Sequence, residues 1–165
     1  MSKRLVKMLP SHNRYFEPFF GGGSLYFRKP KAEWNVLNDI DNDLVNLYIC
    51  VSEKFDIFSK YVYWYVRSRE LYETFINEIK DNDNFTIPDP ERASKYFFIV
   101  RNAFNNVAYN TFSKDCYWNT KMIEELKLSR EKLNGATIEN MDYKKLIDRY
   151  DVREGDFFYL DPPYV

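Results

Sequence analysis

The chain has 165 residues, enough for one domain or for one domain that carries an insertion. Hydrophobic residues make up 45% of it and aromatic residues 19%, so it can bury a core. The formal net charge of -1 excludes a general attraction to nucleic acid, and any such binding must come from a local surface. No apolar run reaches membrane-spanning length, and Cys50 and Cys116 are too few for a disulfide framework or a zinc site. We therefore expect a cytoplasmic protein with no membrane contact and no metal.

The first informative stretch runs from Tyr15 to Phe27, where aromatic residues lead into three consecutive glycines and a second apolar run. This order predicts a strand, a tight glycine turn and a helix with Ser24 as its N-cap. Backbone N–H groups at such a junction can approach a ligand. The spacing is not that of the dinucleotide motif G-x-G-x-x-G, and Glu17 would repel a pyrophosphate. A glycine-rich turn is by itself as often simple chain reversal as a binding site.

A second strand is predicted from Trp34 to Asp39, so that an acid stands at its end. Asp39 follows Glu17 by about 20 residues, near the distance at which a second-strand carboxylate binds the ribose hydroxyls of an adenosine-containing cofactor. Asp41 and Asp43 are the alternative, as ordinary acids at a helix start. Asp39 ranks first because it ends the apolar run.

Most of the chain between residues 43 and 133 has apolar residues at three- and four-residue steps, which predicts a mainly helical region. The expected helices are residues 43–70, residues 71–79, a helix that starts at Pro88–Pro90 and a helix from Met122 to Leu133 closed by Asn134-Gly135. A parallel sheet does not need these elements, so they are predicted to form an insertion.

Within that insertion, the segment from Arg101 to Asn119 combines side-chain amides, a guanidinium and turn residues, which predicts a hairpin. Amides can read adenine edges, and arginine can read guanine or phosphate. The candidate DNA-binding residues are Arg101, Asn102, Asn105, Asn106, Tyr109 and Lys114. A plain Asn-Asn turn is the competing interpretation, and both stay open.

The end of the chain predicts a third strand over residues 136–142, a helix over residues 143–150 and a last strand over residues 157–160 that is buried on both faces. That last strand would deliver Asp161 to its carboxyl end, where ligands bind in α/β sheets. Prolines then keep the backbone extended with free carbonyls, and an aromatic ring follows. A carboxylate, a carbonyl and a ring face together suit a planar group that bears an NH2.

Three motifs, EPFFGGGS, LNDIDNDLVNLY and DPPY, occur in this order and resemble the Dam-type class of N6-adenine-specific DNA methyltransferases. The resemblance implies an α/β fold with a Rossmann-like methyltransferase sheet of about four parallel strands and a mainly helical insertion. It implies three regions: residues 1–52 with the cofactor motifs, residues 53–135 as a target-recognition insertion, and residues 136–165 as the return to the sheet.

The resemblance also implies the site. The cofactor would be S-adenosyl-L-methionine (S-adenosylmethionine), and the substrate double-stranded DNA with a flipped adenine. The residues implied to bind the cofactor are Glu17, Pro18, Phe19, Phe20, Gly21, Gly22, Gly23, Ser24, Asp39, Asp142 and Asp161. The residues implied to be catalytic are Asp161, Pro162, Pro163 and Tyr164. Segment 101–119 resembles the NRxxFNG segment of the family, but Asn106 stands where glycine is usual.

Family members begin with a Gly-Gly-Lys segment, and this chain opens at MSKRLVKMLP, after the position of that segment. They also continue well beyond DPPY, whereas this sequence stops at Val165. We therefore expect the chain to be the front part of an enzyme, weakly active alone and dependent on a separate C-terminal half. Its last strand would then be a sheet edge with uncovered apolar faces. Two alternatives remain: an rRNA amino-methyltransferase, since DPPY also occurs there, and a remnant that binds the cofactor or DNA without turnover.

Overall fold

The computed structural model describes residues 2–82, 84–116, 118–119 and 121–163. The chain forms two compact units, one made of Met1–Val45 with Lys132–Val165 and the other of Asn46–Glu131. We call them the sheet unit and the helical unit. The helical unit overlaps most of the insertion predicted over residues 53–135; the assignment of separate functions to the regions stays a prediction.

The sheet unit contains four strands, which are β1 (Arg14–Glu17), β2 (Trp34–Asn38), β3 (Thr137–Glu139) and β4 (Asp156–Phe158). The α-helices of the described chain are α1 (Ser2–Val6), α2 (Asn42–Glu53), α3 (Phe55–Trp64), α4 (Arg69–Lys80), α5 (Pro90–Asn102), α6 (Lys121–Leu133) and α7 (Tyr143–Arg149). A 3-10 turn covers Phe104–Asn106. None of the described helices is both long and apolar enough to cross a bilayer.

All neighbouring strands are parallel, and their order is β3-β2-β1-β4. This is the 3-2-1-4 order of doubly wound α/β folds, so the predicted Rossmann-like sheet of four parallel strands is confirmed. The chain leaves β1 toward β2 on one side and returns as β4 on the other. The crevice outside the carboxyl ends of β1 and β4 is therefore the topological switch point, the usual place for a ligand.

Aromatic packing fixes β1 against β4. The Phe16 and Phe158 rings stack with centroids 4.4 Å apart and an interplanar angle of 7°. Phe16 also belongs to a fully buried cluster with Val36 and Leu146, which brings α7 onto this face of the sheet. At the other end of the pair, the Arg14 guanidinium binds the Asp156 carboxylate at 2.5 Å. These contacts hold the strand that precedes DPPY in register with the strand that precedes the glycine turn.

Two expectations were wrong. No helix follows the glycines, because residues 24–28 form turns in which Phe27 N donates to Gly23 O at 3.0 Å and Lys29 N to Leu25 O at 3.0 Å. Pro30 follows Gly23 after only six residues, and a proline disfavours the helical conformation of the residue before it, which limits any helix here. The last strand is residues 156–158 rather than 157–160, and its residues are half-buried rather than buried on both faces. The reason is that β4 has a neighbour on one side only in the described sheet.

The helical unit has an aromatic core of its own. Phe98 of α5 is completely buried and meets the ring of Phe75 from α4 at 5.4 Å and that of Trp118 at 4.7 Å. The helix predicted over residues 43–70 is divided here into α2, α3 and the start of α4. The helices predicted over residues 71–79, from Pro90 and from Met122 to Leu133 are confirmed as α4, α5 and α6.

Candidate active site

A groove opens at the carboxyl ends of the strands in the sheet unit, with a volume of about 330 Å3. This volume lies at the lower end of the range for small-molecule sites. The lining residues are Pro18, Phe19, Gly21, Asn38, Asp39, Ile40, Met141, Asp142, Tyr143, Asp161 and Pro163. The groove thus receives residues from the glycine turn, from the end of β2, from the loop after β3 and from the segment after β4.

Asp39 stands at the end of β2 and is bonded to the backbone on both sides. Its Oδ2 accepts from Gly21 N at 2.8 Å, and its Oδ1 accepts from Asp41 N at 3.0 Å. These bonds orient the carboxylate toward the groove and leave each oxygen with further capacity to accept a hydrogen bond. Asp41, the alternative acid, instead accepts from Asp43 N and Leu44 N at the start of α2.

Asn38 is a site residue that sequence reasoning missed. Its side chain is buried, and its Nδ2 donates to Pro18 O and to Met141 O, both at 2.9 Å. Its Oδ1 accepts from Met141 N at 3.1 Å. One carboxamide at the end of β2 therefore ties together the segments that follow β1 and β3. The signal was present in the motif LNDI, but only its aspartate suggested a ligand contact.

Asp142 and Tyr143 form the wall of the groove at the start of α7. The Asp142 carboxylate accepts from Lys144 N at 2.9 Å, so Asp142 caps this helix. The Tyr143 and Phe19 rings lie 5.0 Å apart at an angle of 41°. Together with exposed Ile40, they give the groove an apolar side in addition to its carboxylates. Tyr143 and Ile40 were not predicted as site residues.

The predicted glycine-turn residues divide into two sets. Pro18, Phe19 and Gly21 line the groove, whereas Phe20, Gly22, Gly23 and Ser24 do not. Gly23 has a φ of +60°, and a Cβ there would lie 2.6 Å from the Phe20 ring. Gly23 is therefore required for packing, while Gly22 has open space around it and Ser24 is exposed.

Glu17 is only 2% exposed at the end of β1 and does not belong to the groove lining. Its Oε2 accepts from the Tyr15 hydroxyl at 2.7 Å. Burial raises the pKa of Glu17 to about 7, while the Tyr15 hydroxyl and the Lys29 ammonium oppose the rise and the charge of Asp161 adds to it. The contact of this carboxylate with a cofactor stays a prediction.

The segment after β4 brings Asp161 and Pro163 into the groove, and all of Asp161, Pro162 and Pro163 are exposed. The Tyr159 backbone N–H still donates to Phe16 O at 2.8 Å, and its hydroxyl donates to Asp161 Oδ2 at 3.3 Å. The backbone two residues before Asp161 is therefore fixed to β1. Tyr164 lies outside the described residues.

Comparison with known proteins decides the family. The sequence profile of the D12 class N6 adenine-specific DNA methyltransferases matches residues 1–165. The chain belongs to this family.

Curated relatives agree with the assignment. Over 96% of its length the D12-class chain is 28% identical to the protein named Type II methyltransferase M1.LlaDCHI of Lactococcus lactis subsp. cremoris, of which it covers 59%. Over 94% of its length it is 27% identical to the DNA adenine methylase of Serratia marcescens, again covering 59%. The similarity to the DNA N-6-adenine-methyltransferase of Escherichia phage P1 is 22% over 98% of the chain and covers 22% of that protein. The chain thus spans less than two thirds of these relatives.

In the helical unit, the segment predicted to contact DNA has unusual backbone geometry. Asn105, Asn106 and Tyr109 have φ values of +57°, +54° and +65°. Asparagine tolerates this left-handed region better than most residues, and glycine adopts it freely. Such strain in exposed residues is typical of binding segments. In place of the expected hairpin strands, the described part has one isolated antiparallel bridge, between Ala103 and Phe112.

Asn102 does not fit the DNA-binding prediction. It is completely buried, its Nδ2 donates to Phe98 O at 2.9 Å, and its Oδ1 accepts from Arg67 Nε at 3.1 Å. Its carboxamide is occupied inside the helical unit and cannot meet a base from there. Arg101 is half-buried, and its Nε is a buried atom without a hydrogen-bond partner in the described structure. Lys114 is exposed.

Proposed function

We propose that this chain binds S-adenosylmethionine and provides the reacting groups for methyl transfer to the exocyclic N6 of adenine in double-stranded DNA. The observation that carries the proposal is the composition of one groove. Gly21 from the glycine turn, Asp39 from the end of β2 and Asp161 from DPPY all line it. A reaction between two bound molecules needs both in one place, and a shared groove meets that condition.

The groove fits the cofactor. The Asp39 carboxylate, fixed by the N–H groups of Gly21 and Asp41, can accept hydrogen bonds from a pair of ribose hydroxyls. The apolar side formed by Phe19, Ile40 and Tyr143 suits a planar adenine, and Asp142 can accept from the amine of that ring. S-adenosylmethionine supplies the methyl group, carried on a sulfonium.

Asp161 and Pro162 would act on the target amine. The lone pair of the adenine N6 is delocalised into the ring, which makes it a poor nucleophile. The Asp161 carboxylate and the Pro162 carbonyl can accept its two hydrogens, which favours a pyramidal nitrogen and stabilises the positive charge that develops. Stacking of the base on Tyr164 stays a prediction. The adenine must leave the duplex first, at a cost of a few kcal/mol.

Contacts to DNA are proposed for the exposed part of the strained segment in the helical unit. Asn105 and Asn106 are exposed and can offer amides to base edges, and Lys114 can bind phosphate. Lys114→Ala should weaken DNA binding at every sequence and reduce the slope of log K against log salt by about 1. An unchanged slope in a filter-binding series would remove Lys114 from the interface.

The proposal extends to a C-terminal half, because the chain spans about three fifths of two of the curated relatives that it matches. In the described sheet β4 has one neighbouring strand, and Leu160 beyond it is 55% exposed. Added strands would cover this edge.

We place the enzyme in the cytoplasm, which is in keeping with the free thiols of Cys50 and Cys116.

The test has two stages. Calorimetry first measures S-adenosylmethionine binding to the chain. Transfer of a labelled methyl group is then measured on duplex DNA and on rRNA, with the chain alone and with the C-terminal part of a family member supplied as a separate polypeptide. We expect binding, and transfer to DNA that rises strongly on complementation. Label on rRNA alone would support the RNA enzyme, binding without any transfer would support the non-catalytic remnant, and no binding would refute the proposal.

A further inference from the structure

One acidic and one basic side chain of the sheet unit are buried but have no role in the mechanism above. Lys29 is 1% exposed and Glu17 is 2% exposed. Burying a single charge costs several kcal/mol unless partners compensate, so a lysine at this depth calls for an explanation. Its neighbour Lys31, in contrast, is exposed and donates to the Asn134 carbonyl.

Tyr15 lies between the two charges. The Lys29 Nζ is 4.0 Å from the centroid of the Tyr15 ring and 5.7 Å from that of Tyr26, and it donates to Pro30 O at 2.9 Å. The hydroxyl of the same Tyr15 donates to Glu17 Oε2 at 2.7 Å. The ammonium therefore faces the ring whose hydroxyl holds the carboxylate.

This arrangement has an electrostatic consequence. A cation over a ring face is attracted by the π electrons and draws density from the ring. A phenol that loses density is a stronger hydrogen-bond donor, and hydrogen bonds in such a chain strengthen one another in a medium of low dielectric constant. The Lys29 charge thus favours the ionised form of Glu17, both directly and through Tyr15.

We propose that Lys29 is a positioning residue for the groove: acting with Tyr15, it keeps Glu17 ionised beneath the carboxyl end of β1, where the negative charge favours a cationic ligand. The inference rests on the proposed function, because the sulfonium of S-adenosylmethionine is that cation. Glu17 acts here through the field it creates, since its carboxylate does not line the groove.

The surrounding charges set the pH at which this device works. Burial, together with the nearby Lys132 ammonium, lowers the pKa of Lys29 to about 8, although Glu17 opposes the change. The pKa of Glu17 is about 7. Both groups are therefore charged in a narrow range near neutral pH. Tyr15 and Asp161 act on Glu17, and Lys132 acts on Lys29. Tyr26 and Tyr159 act on Tyr15, the residue between the two charges.

The experiment compares Lys29→Met, which keeps the length of the side chain, with Lys31→Met as the matched control. NMR titration of the 13C-labelled Glu17 carboxyl gives its midpoint without any ligand. Calorimetry from pH 6 to 9 gives the affinity for S-adenosylmethionine. For Lys29→Met we expect the Glu17 midpoint to rise by about 1 pH unit. If the cofactor binds only when Glu17 is ionised, the affinity of Lys29→Met for S-adenosylmethionine should be about fivefold lower than that of wild-type protein at pH 7 and should return toward the wild-type value near pH 9. Lys31→Met should change neither measurement.

Two further variants make the test decisive. Tyr15→Phe keeps the ring below Lys29 but removes the donor to Glu17, and it should also raise the Glu17 midpoint if Lys29→Met fails to fold. In a Glu17→Gln background, Lys29→Met should leave affinity unchanged, because a double-mutant cycle isolates the coupling between the two residues. Wild-type midpoints in both variants, or an equal loss of affinity with and without Glu17, would overturn the inference. If wild-type protein does not bind the cofactor, the proposed function fails, and the NMR titration still decides the coupling.

Discussion

Replacement of Asp39 by alanine is expected to weaken binding of S-adenosylmethionine strongly. Hydrogen bonds to a charged group contribute about 1.5–3 kcal/mol each. Loss of two bonds to ribose hydroxyls, partly offset by water, predicts a change of roughly 2–4 kcal/mol, or about 30- to 1000-fold in Kd. Asp39→Ala also removes the bonds from Gly21 N and Asp41 N, so the unfolding free energy should fall by about 1–2 kcal/mol. Calorimetry at a temperature well below the unfolding midpoint separates the two effects.

Asp41→Ala is the control, because Asp41 has the same side chain in the same loop and lies outside the groove lining. Its Oδ1 accepts from Asp43 N at 2.9 Å and from Leu44 N at 3.2 Å at the start of α2. Loss of this cap should lower the unfolding free energy by about 1 kcal/mol and leave cofactor affinity unaltered. If Asp39→Ala and Asp41→Ala bind the cofactor equally well, Asp39 does not hold the ribose.

Three other substitutions test the site and its support. In the enzyme complemented with a C-terminal half, Asp161→Ala should abolish labelled-methyl transfer to duplex DNA. The unfolding midpoint of the chain should stay within about 2 °C, because the side chain is exposed. Normal turnover would contradict the role of Asp161. Gly23→Ala should lower the unfolding free energy by about 2–4 kcal/mol, because the new Cβ clashes with Phe20 and the backbone has a positive φ. Gly22→Ala, which has open space around it, should lower the unfolding free energy by under about 1 kcal/mol. Equal effects in chemical denaturation would contradict the packing argument. Arg14→Gln should lower stability at pH 7, since the Arg14 hydrogen bond holds the pKa of Asp156 below its ordinary 3.8. The stability that this ion pair contributes is present above the ordinary pKa of Asp156 and is lost as the pH falls through the lowered pKa of the folded protein. The urea midpoints of wild-type protein and Arg14→Gln should therefore converge in acid and not before.

Much of the sheet unit follows from the sequence, because strand ends in a parallel sheet meet at one edge. The glycine turn, Asp39 and Asp161 were predicted on three strands, and all three now border one groove. The order of the motifs along the chain was sufficient, since right-handed crossovers leave few alternative arrangements. The parallel pairing was predicted, whereas the strand order β3-β2-β1-β4 comes from the structure alone.

Other features depend on distances that a linear pattern does not contain. Glu17 ends an apolar strand like Asp39 does, but its side chain lies in the interior, and local sequence does not distinguish the two. In the sequence Asn38 is only a neighbour of the functional acid Asp39, but its amide joins the end of β2 to the loops that follow β1 and β3. Asn102 belongs to an amide-rich run that suggested base contacts, and only the packing of the helical unit reveals that its amide is already bonded.

The parallel pairing of β1 with β4 carries a wider implication. Adjacent strands run about 4.8 Å apart, so backbone amides set the spacing between the methyl-donor side and the acceptor side of the proposed reaction. Every residue type has the same peptide group, so most substitutions do not change this spacing. Proteins that share this sheet can therefore differ widely in side chains and in the helical unit while they keep the same spacing between β1 and β4.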